Sequence, residues 1–133
     1  MRTKILVLGD TTSFWRLLLA SLEDAGYVLF SAADEAQCLS LALSCAPDLL
    51  LLEVKPAPEA SHALCQLMAA NPKLKQIPVV MLANSADEAQ QDSGLKAGAR
   101  AYLVKPVHVK ELLALFQRLL GPGASIDPLG HSP

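Results

Sequence analysis

No run of lysine or arginine occurs anywhere in the 133 residues, where 11 basic side chains face 13 acidic ones for a formal charge of −2. Without a basic stripe or polybasic cluster, charge gives no support for direct nucleic-acid binding or a membrane-surface contact. Aromatic residues are scarce at 5%, with a single tryptophan, although 52% of the chain is hydrophobic, so the core has to be built from Leu, Ala and Val. Cysteines are few and odd in number, at Cys38, Cys45 and Cys65, with neither CxxC spacing nor a neighbouring histidine, so no metal site is indicated. They read as reduced thiols of a cytoplasmic protein, with Cys38 and Cys45 on one face of a helix as small buried apolar groups. The apolar stretch after Met1-Arg2-Thr3-Lys4 spans only Ile5 to Leu8, too short for a signal peptide or a membrane span. Neither GxGxxG nor a P-loop follows it, since Gly9-Asp10-Thr11-Thr12-Ser13 holds one glycine, which argues against a nucleotide-binding enzyme. His62, His108 and His131 are too scattered to suggest a catalytic pair.

What is present is a long apolar run. Pro47-Asp48 followed by Leu49-Leu50-Leu51-Leu52-Glu53-Val54 reads as a strand buried on both faces, as inside a parallel sheet flanked by helices. Ahead of it, Lys4 to Leu8 forms a first strand. A helix follows from Phe14 to Ala25 with Phe14, Leu17, Leu18, Leu22 and Ala25 at helical spacing, capped by Thr11, Thr12 or Ser13 and ended by Gly26. Tyr27 to Ala32 is a second strand, and Asp34 caps a helix over Glu35 to Cys45 with Ala36, Leu39, Leu43 and Ala46 inward. Beyond the central strand, Lys55-Pro56-Ala57-Pro58 is loop. A helix from about Ala60 to Ala70 points Leu64, Leu67 and Met68 inward, and Ile77 to Ala83 is the fourth strand. Ser85 to Ala97 is a polar helix weakened by Gly94, Ala101 to Val104 the fifth strand and Lys110 to Leu120 the last helix. Five strands alternating with five helices predict a doubly wound parallel α/β sheet over residues 1–120. Residues 121–133, rich in glycine and proline, read as a flexible tail or linker.

In such a sheet the carboxyl ends of the strands line the ligand crevice. That brings Asp10, Glu53, Ala83-Asn84 and Lys105-Pro106 to one rim: two carboxylates and an ammonium, a set suited to a divalent cation or a phosphoryl group. At this point the sequence resembles the receiver domains of bacterial two-component response regulators. The resemblance runs from about Lys4 to Leu120 and rests on Leu8-Gly9-Asp10, the Ala25-Gly26-Tyr27 turn, Pro47 to Val54, Ile77 to Leu82, and Lys96-Ala97-Gly98-Ala99-Arg100-Ala101-Tyr102-Leu103-Val104-Lys105-Pro106. It implies a flavodoxin-like sheet of order 2-1-3-4-5. It also implies an aspartate phosphorylated at the end of strand three, two acids holding Mg²⁺ at the end of strand one, a Thr or Ser at the end of strand four, and a lysine at the end of strand five.

Carried over by position, the first strand-one acid falls on Gly9, the second on Asp10, the acceptor on Glu53, the hydroxyl residue on Ala83 and the lysine on Lys105. Three of the five differ from the family. With Gly9 in place, Mg²⁺ binding is expected to be weak or absent, and no other cofactor is implied. Glu53 is a methylene longer than aspartate and lacks the in-line geometry and metal that phosphoryl transfer needs. Ala83 deletes the hydroxyl that, in the family, moves toward the phosphate and lets the strand-five aromatic, here Tyr102, turn inward. Lys55, two residues past Glu53, is a second candidate cation, and the resemblance implies a cis bond at Lys105-Pro106.

These features predict a degenerate receiver, not an enzyme, that is not switched by aspartyl phosphorylation and works through protein contacts. Glu53 either mimics a phosphorylated acceptor, or Asp10, Glu53, Lys105 and Lys55 neutralise one another. The second is favoured because a mimic needs the hydroxyl to transmit its charge. The alternative is a phosphorylatable receiver with an unusual acceptor site. Expected partners are a protein or an output domain, with no nucleic acid directly and no membrane. A homodimer is expected through the fourth helix, fifth strand and fifth helix, whose face presents Lys96, Arg100, Tyr102, Lys110 and Arg118.

Overall fold

The computed structural model describes residues 3–9, 13–54, 59–84 and 87–120. Five strands alternate with five helices: β1 (Lys4–Leu8), α1 (Ser13–Asp24), β2 (Val28–Ala32), α2 (Glu35–Cys45), β3 (Leu49–Val54), α3 (Glu59–Ala70), β4 (Val79–Ala83), α4 (Glu88–Ala97), β5 (Ala101–Val104) and α5 (Val109–Leu120). The strands form one sheet of order β2-β1-β3-β4-β5, and every pairing is parallel. This is the doubly wound, flavodoxin-like architecture expected of the alternating pattern.

All six residues of β3 are buried, as an unbroken apolar run at the centre of a parallel sheet should be. Strand alternation divides its leucines between two cores. Leu50 and Leu52 join Leu6, Leu8, Met81 and Tyr102 beneath α2, α3 and α4, where Cys38, Leu64, Cys65 and Met68 close the layer. Leu49 and Leu51 join Ile5, Val7, Val80 and Leu82 beneath α1 and α5, where Trp15, Leu18, Leu22, Leu112 and Phe116 do the same. Tyr27 meets Phe116 edge to face with ring centroids 5.6 Å apart, a favoured aromatic arrangement.

The helix ends follow local chemistry. Asp34 caps α2 by accepting from the Gln37 amide at 2.8 Å, and Asp87 caps α4 by accepting from Ala89. Gly98 closes α4 at φ 124°, and its amide donates to the Gly94 and Leu95 carbonyls. Only glycine enters that conformation without strain.

The inner faces of three helices differ from those read in the sequence. In α1, Leu18 and Leu22 are buried as expected, but Trp15 joins them while Leu17 is 71% exposed. In α2 the buried residues are Cys38 and Ala42, with Leu43 exposed. In α3 they are Ser61, Leu64, Cys65 and Met68, with Leu67 exposed. These helices carry apolar side chains on more than one stripe, so periodicity alone did not single out the buried one. Gly94, expected to loosen α4, has a packing reason: a Cβ there would stand 2.9 Å from Met81 Sδ and 3.2 Å from Tyr102 Cδ2. No described helix is long and apolar enough to cross a membrane.

Candidate functional site

In the order β2-β1-β3-β4-β5 the chain changes direction between β1 and β3, so a crevice opens where these two strands end. Leu8 of β1 pairs with Leu52 of β3, which places Gly9 and Glu53 side by side one residue further on. On β4 and β5, Ala83 pairs with Val104, and the Lys105 amide donates to the Ala83 carbonyl at 2.8 Å. Alternation then sorts the side chains. Glu53 follows Leu49 and Leu51 toward α1 and α5, and Lys105 follows Ala101 and Leu103 to the same side. Ala83, Tyr102 and Val104 belong to the opposite face.

The centre of the site is an ion pair. Lys105 Nζ donates to Glu53 Oε2, with the lysine side chain 15% and the glutamate side chain 6% exposed. The extra methylene of glutamate, compared with aspartate, carries its carboxylate toward the ammonium. Burial of this depth strengthens the attraction, because little water screens it, but also makes each charge dependent on the other.

The ion pair is covered by Trp15. Its indole is 1% exposed, and Lys105 Nζ lies 5.7 Å from the ring centroid, within cation–π range. The same indole lies against Gly9: a Cβ on that residue would be 2.5 Å from Cε2 and 2.8 Å from Cδ2 and Cζ2. Trp15, in the first turn of α1, thus stands at the rim of the site. A glycine at a strand end, six residues before the only tryptophan, is the trace of this contact in the sequence.

The other expected residues are distributed as follows. Ala83 is buried, as is Tyr102 at 8% exposed. Tyr102 therefore does not present itself on the face expected of it. Its ring lies against Gly94 and Met81, space that is free because residue 94 has no side chain. Its hydroxyl is buried with no hydrogen-bond partner among the described residues, and burial, together with the nearby Asp87 carboxylate, pushes its pKa up. Lys96, Arg100, Lys110 and Arg118 are exposed. The Lys105–Pro106 bond is cis. Asp10 and Lys55 lie outside the described residues, as do Thr11 and Thr12, the prolines at 56 and 58, and the tail from 121 onward.

The residues described do not fit the Mg²⁺ ion that the resemblance implies. Mg²⁺ demands oxygen ligands in near-octahedral geometry and keeps much of its water. Here one of the two strand-one acid positions is a glycine covered by an aromatic ring, and the Glu53 carboxylate is engaged by an ammonium. Among the described residues no group of three or more His, Cys, Asp or Glu is placed to hold a metal.

Comparison with known proteins accords with the receiver resemblance and the sheet topology. Residues 5–117 match the family model described as the response regulator receiver domain. The DNA-binding dual master transcriptional regulator RpaA of Synechocystis is 32% identical over 117 residues, covering 88% of this chain and 48% of that protein. Among solved structures, a putative response regulator from Chloroflexus aurantiacus superposes with a TM-score of 0.82 at 28% identity, covering 90% of this chain and 98% of that one. The chemotaxis response regulator CheY4 of Vibrio cholerae gives 0.79 at 27% identity, covering 90% and 100%. The chain spans about half the length of the curated transcriptional regulators it matches. These relatives overturn the expectation of no direct nucleic-acid contact, since RpaA is by its own description a DNA-binding regulator. The missing basic stripe reports only on the portion that this chain covers.

Proposed function

The chain belongs to the response regulator receiver domain family, and we propose that it is an atypical receiver, held in one arrangement and not switched by aspartyl phosphorylation. The observation that carries this reading is the buried Glu53–Lys105 ion pair at the acceptor position. A nucleophilic carboxylate must present a free oxygen in line with the donor phosphorus, and a cation must offset the charge that develops. Glu53 Oε2 is turned to the Lys105 ammonium, and the neighbouring acid position is a glycine under an indole.

The relay beyond the site is altered as well. In receivers a hydroxyl at the end of the fourth strand links the acceptor to the aromatic of the fifth, and here that position is Ala83. Tyr102 is already inward, packed on Gly94 and Met81. The small Ala83 and the bare Gly94 support a Tyr102 position set by packing and independent of a phosphoryl group. A ligand biases an equilibrium only through differential affinity for two states, so a domain with one arrangement transmits no phosphoryl signal. Its contribution is a constant surface, exerted through protein contacts. The test is intact mass spectrometry after incubation with acetyl phosphate and Mg²⁺. The unmodified mass is expected, and gain of one phosphoryl group on Glu53 would establish the phosphorylatable alternative.

A further inference from the structure

We propose that Trp15 is the residue that excludes divalent cations from this site, its indole taking the space of the missing strand-one carboxylate. The inference rests on the ion-pair reading above and adds the agent that maintains it. Loss of an acid at position 9 would by itself leave a hole that water or a hydrated ion could enter. The space beside Gly9 is filled instead: three Trp15 ring atoms lie within 2.8 Å of where a Cβ on Gly9 would stand.

Trp15 cannot swing aside cheaply. Leu18 and Leu22, on the same helix face, are buried in the core shared with Ile5 and Val7, so moving the indole means moving α1 or leaving its rotamer well. An indole offers a cation its π face and no oxygen. A weakly demanding ammonium such as Lys105 Nζ, 5.7 Å from the ring centroid, is stabilised by that face. Mg²⁺, which needs oxygen ligands, gains nothing there. Gly9 and Trp15 therefore act as a pair, and restoring an acid at position 9 alone will not restore cation binding.

The experiment is a cycle of Gly9→Asp, Trp15→Ala and the double variant on the full chain, with Mn²⁺ binding followed by calorimetry and by electron paramagnetic resonance, and folding checked by circular dichroism. Trp15→Ala is expected to tighten Mn²⁺ binding at least about tenfold in the Gly9→Asp background and not in wild type, a non-additivity characteristic of residues in contact. Equal affinity of Gly9→Asp and the double variant, a gain below tenfold, or a double variant no better than wild type would overturn the proposal. Should the alanine variants not fold, Gly9→Ala in the wild-type background decides the steric half. It should lower the urea midpoint and shift the emission of Trp15, the only tryptophan, and an unchanged midpoint and spectrum would overturn it. Phosphorylation of the wild-type chain would refute the functional reading and leave the outcome of this cycle separately measurable.

Discussion

Replacing Lys105 with methionine keeps an unbranched side chain one atom shorter and removes the charge from beside a carboxylate that is only 6% exposed. Removing one partner of a fully buried ion pair costs about 3–5 kcal/mol, because the remaining charge has been stripped of water without compensation. Lys105 retains a little solvent at 15% exposure, and Glu53 has a further interaction besides this pair, so the expected loss is about 2–4 kcal/mol. Replacing both residues, as Glu53→Met with Lys105→Met, should bring stability to within about 1 kcal/mol of wild type or above it, since neither charge then has to be desolvated. The assay is equilibrium urea denaturation followed by far-UV circular dichroism and by the emission of Trp15, which reports on the same site because Lys105 lies over its ring. A cost below about 1 kcal/mol for Lys105→Met would put the pair in the class of solvent-exposed ion pairs and refute the reasoning. So would a double variant that loses the sum of the two single losses.

Tyr102→Phe should be neutral or stabilising by about 1 kcal/mol in the same denaturation assay, because the hydroxyl it deletes is buried without a partner. Gly94→Ala should destabilise by about 1 kcal/mol, although alanine is the better helix former, since its methyl would press on Met81 Sδ and the Tyr102 ring. Burial pushes the Cys38 thiol from the ordinary 9.0 up to about 12, with Glu35 adding to the effect, and the Cys65 thiol up to about 11. Both are raised in the folded state, so above pH 9 the unfolded chain gives up protons that the folded chain keeps. Stability should be intact below pH 9 and fall as pH rises through 11 and 12, measurable as a falling urea midpoint. Under native conditions at pH 8 iodoacetamide should modify the partly exposed Cys45 well before Cys38 and Cys65, as peptide mapping would show.

The sheet was readable in the sequence because its strands are short, apolar and punctuated. The leucines of β3, the Asp34 cap and Gly98 each have one structural solution, and the structure adopts all three. The helix faces were less readable: Leu17, Leu43 and Leu67 are chemically fit for a core, but they point outward while Trp15, Ala42 and Cys65 fill it. In helices rich in leucine and alanine several stripes are apolar enough to bury, and the pleat of the sheet beneath selects one. At the site, Glu53, Ala83 and Lys105 could be aligned by strand ends and Gly9 through the receiver resemblance, and the structure brings Glu53 and Lys105 into contact. The role of Trp15 was hidden because a helical residue and a strand end six positions earlier meet only once the α1 packing angle is set. Tyr102 was expected, from the receiver resemblance, on the α4/β5/α5 face; its inward position uses the space left by the absent side chain at Gly94.

The most direct test of a closed site uses ¹H–¹⁵N correlation spectra of the chain, titrated with Mg²⁺ and beryllium fluoride, which occupies a competent acceptor carboxylate as a phosphoryl group would. The amide resonances of Glu53, Ala83, Tyr102 and Lys105 are expected to stay where they are through the titration. A second set of resonances at these residues, growing in slow exchange and reaching into α4 and β5, would show an acceptor site that opens and a domain that switches.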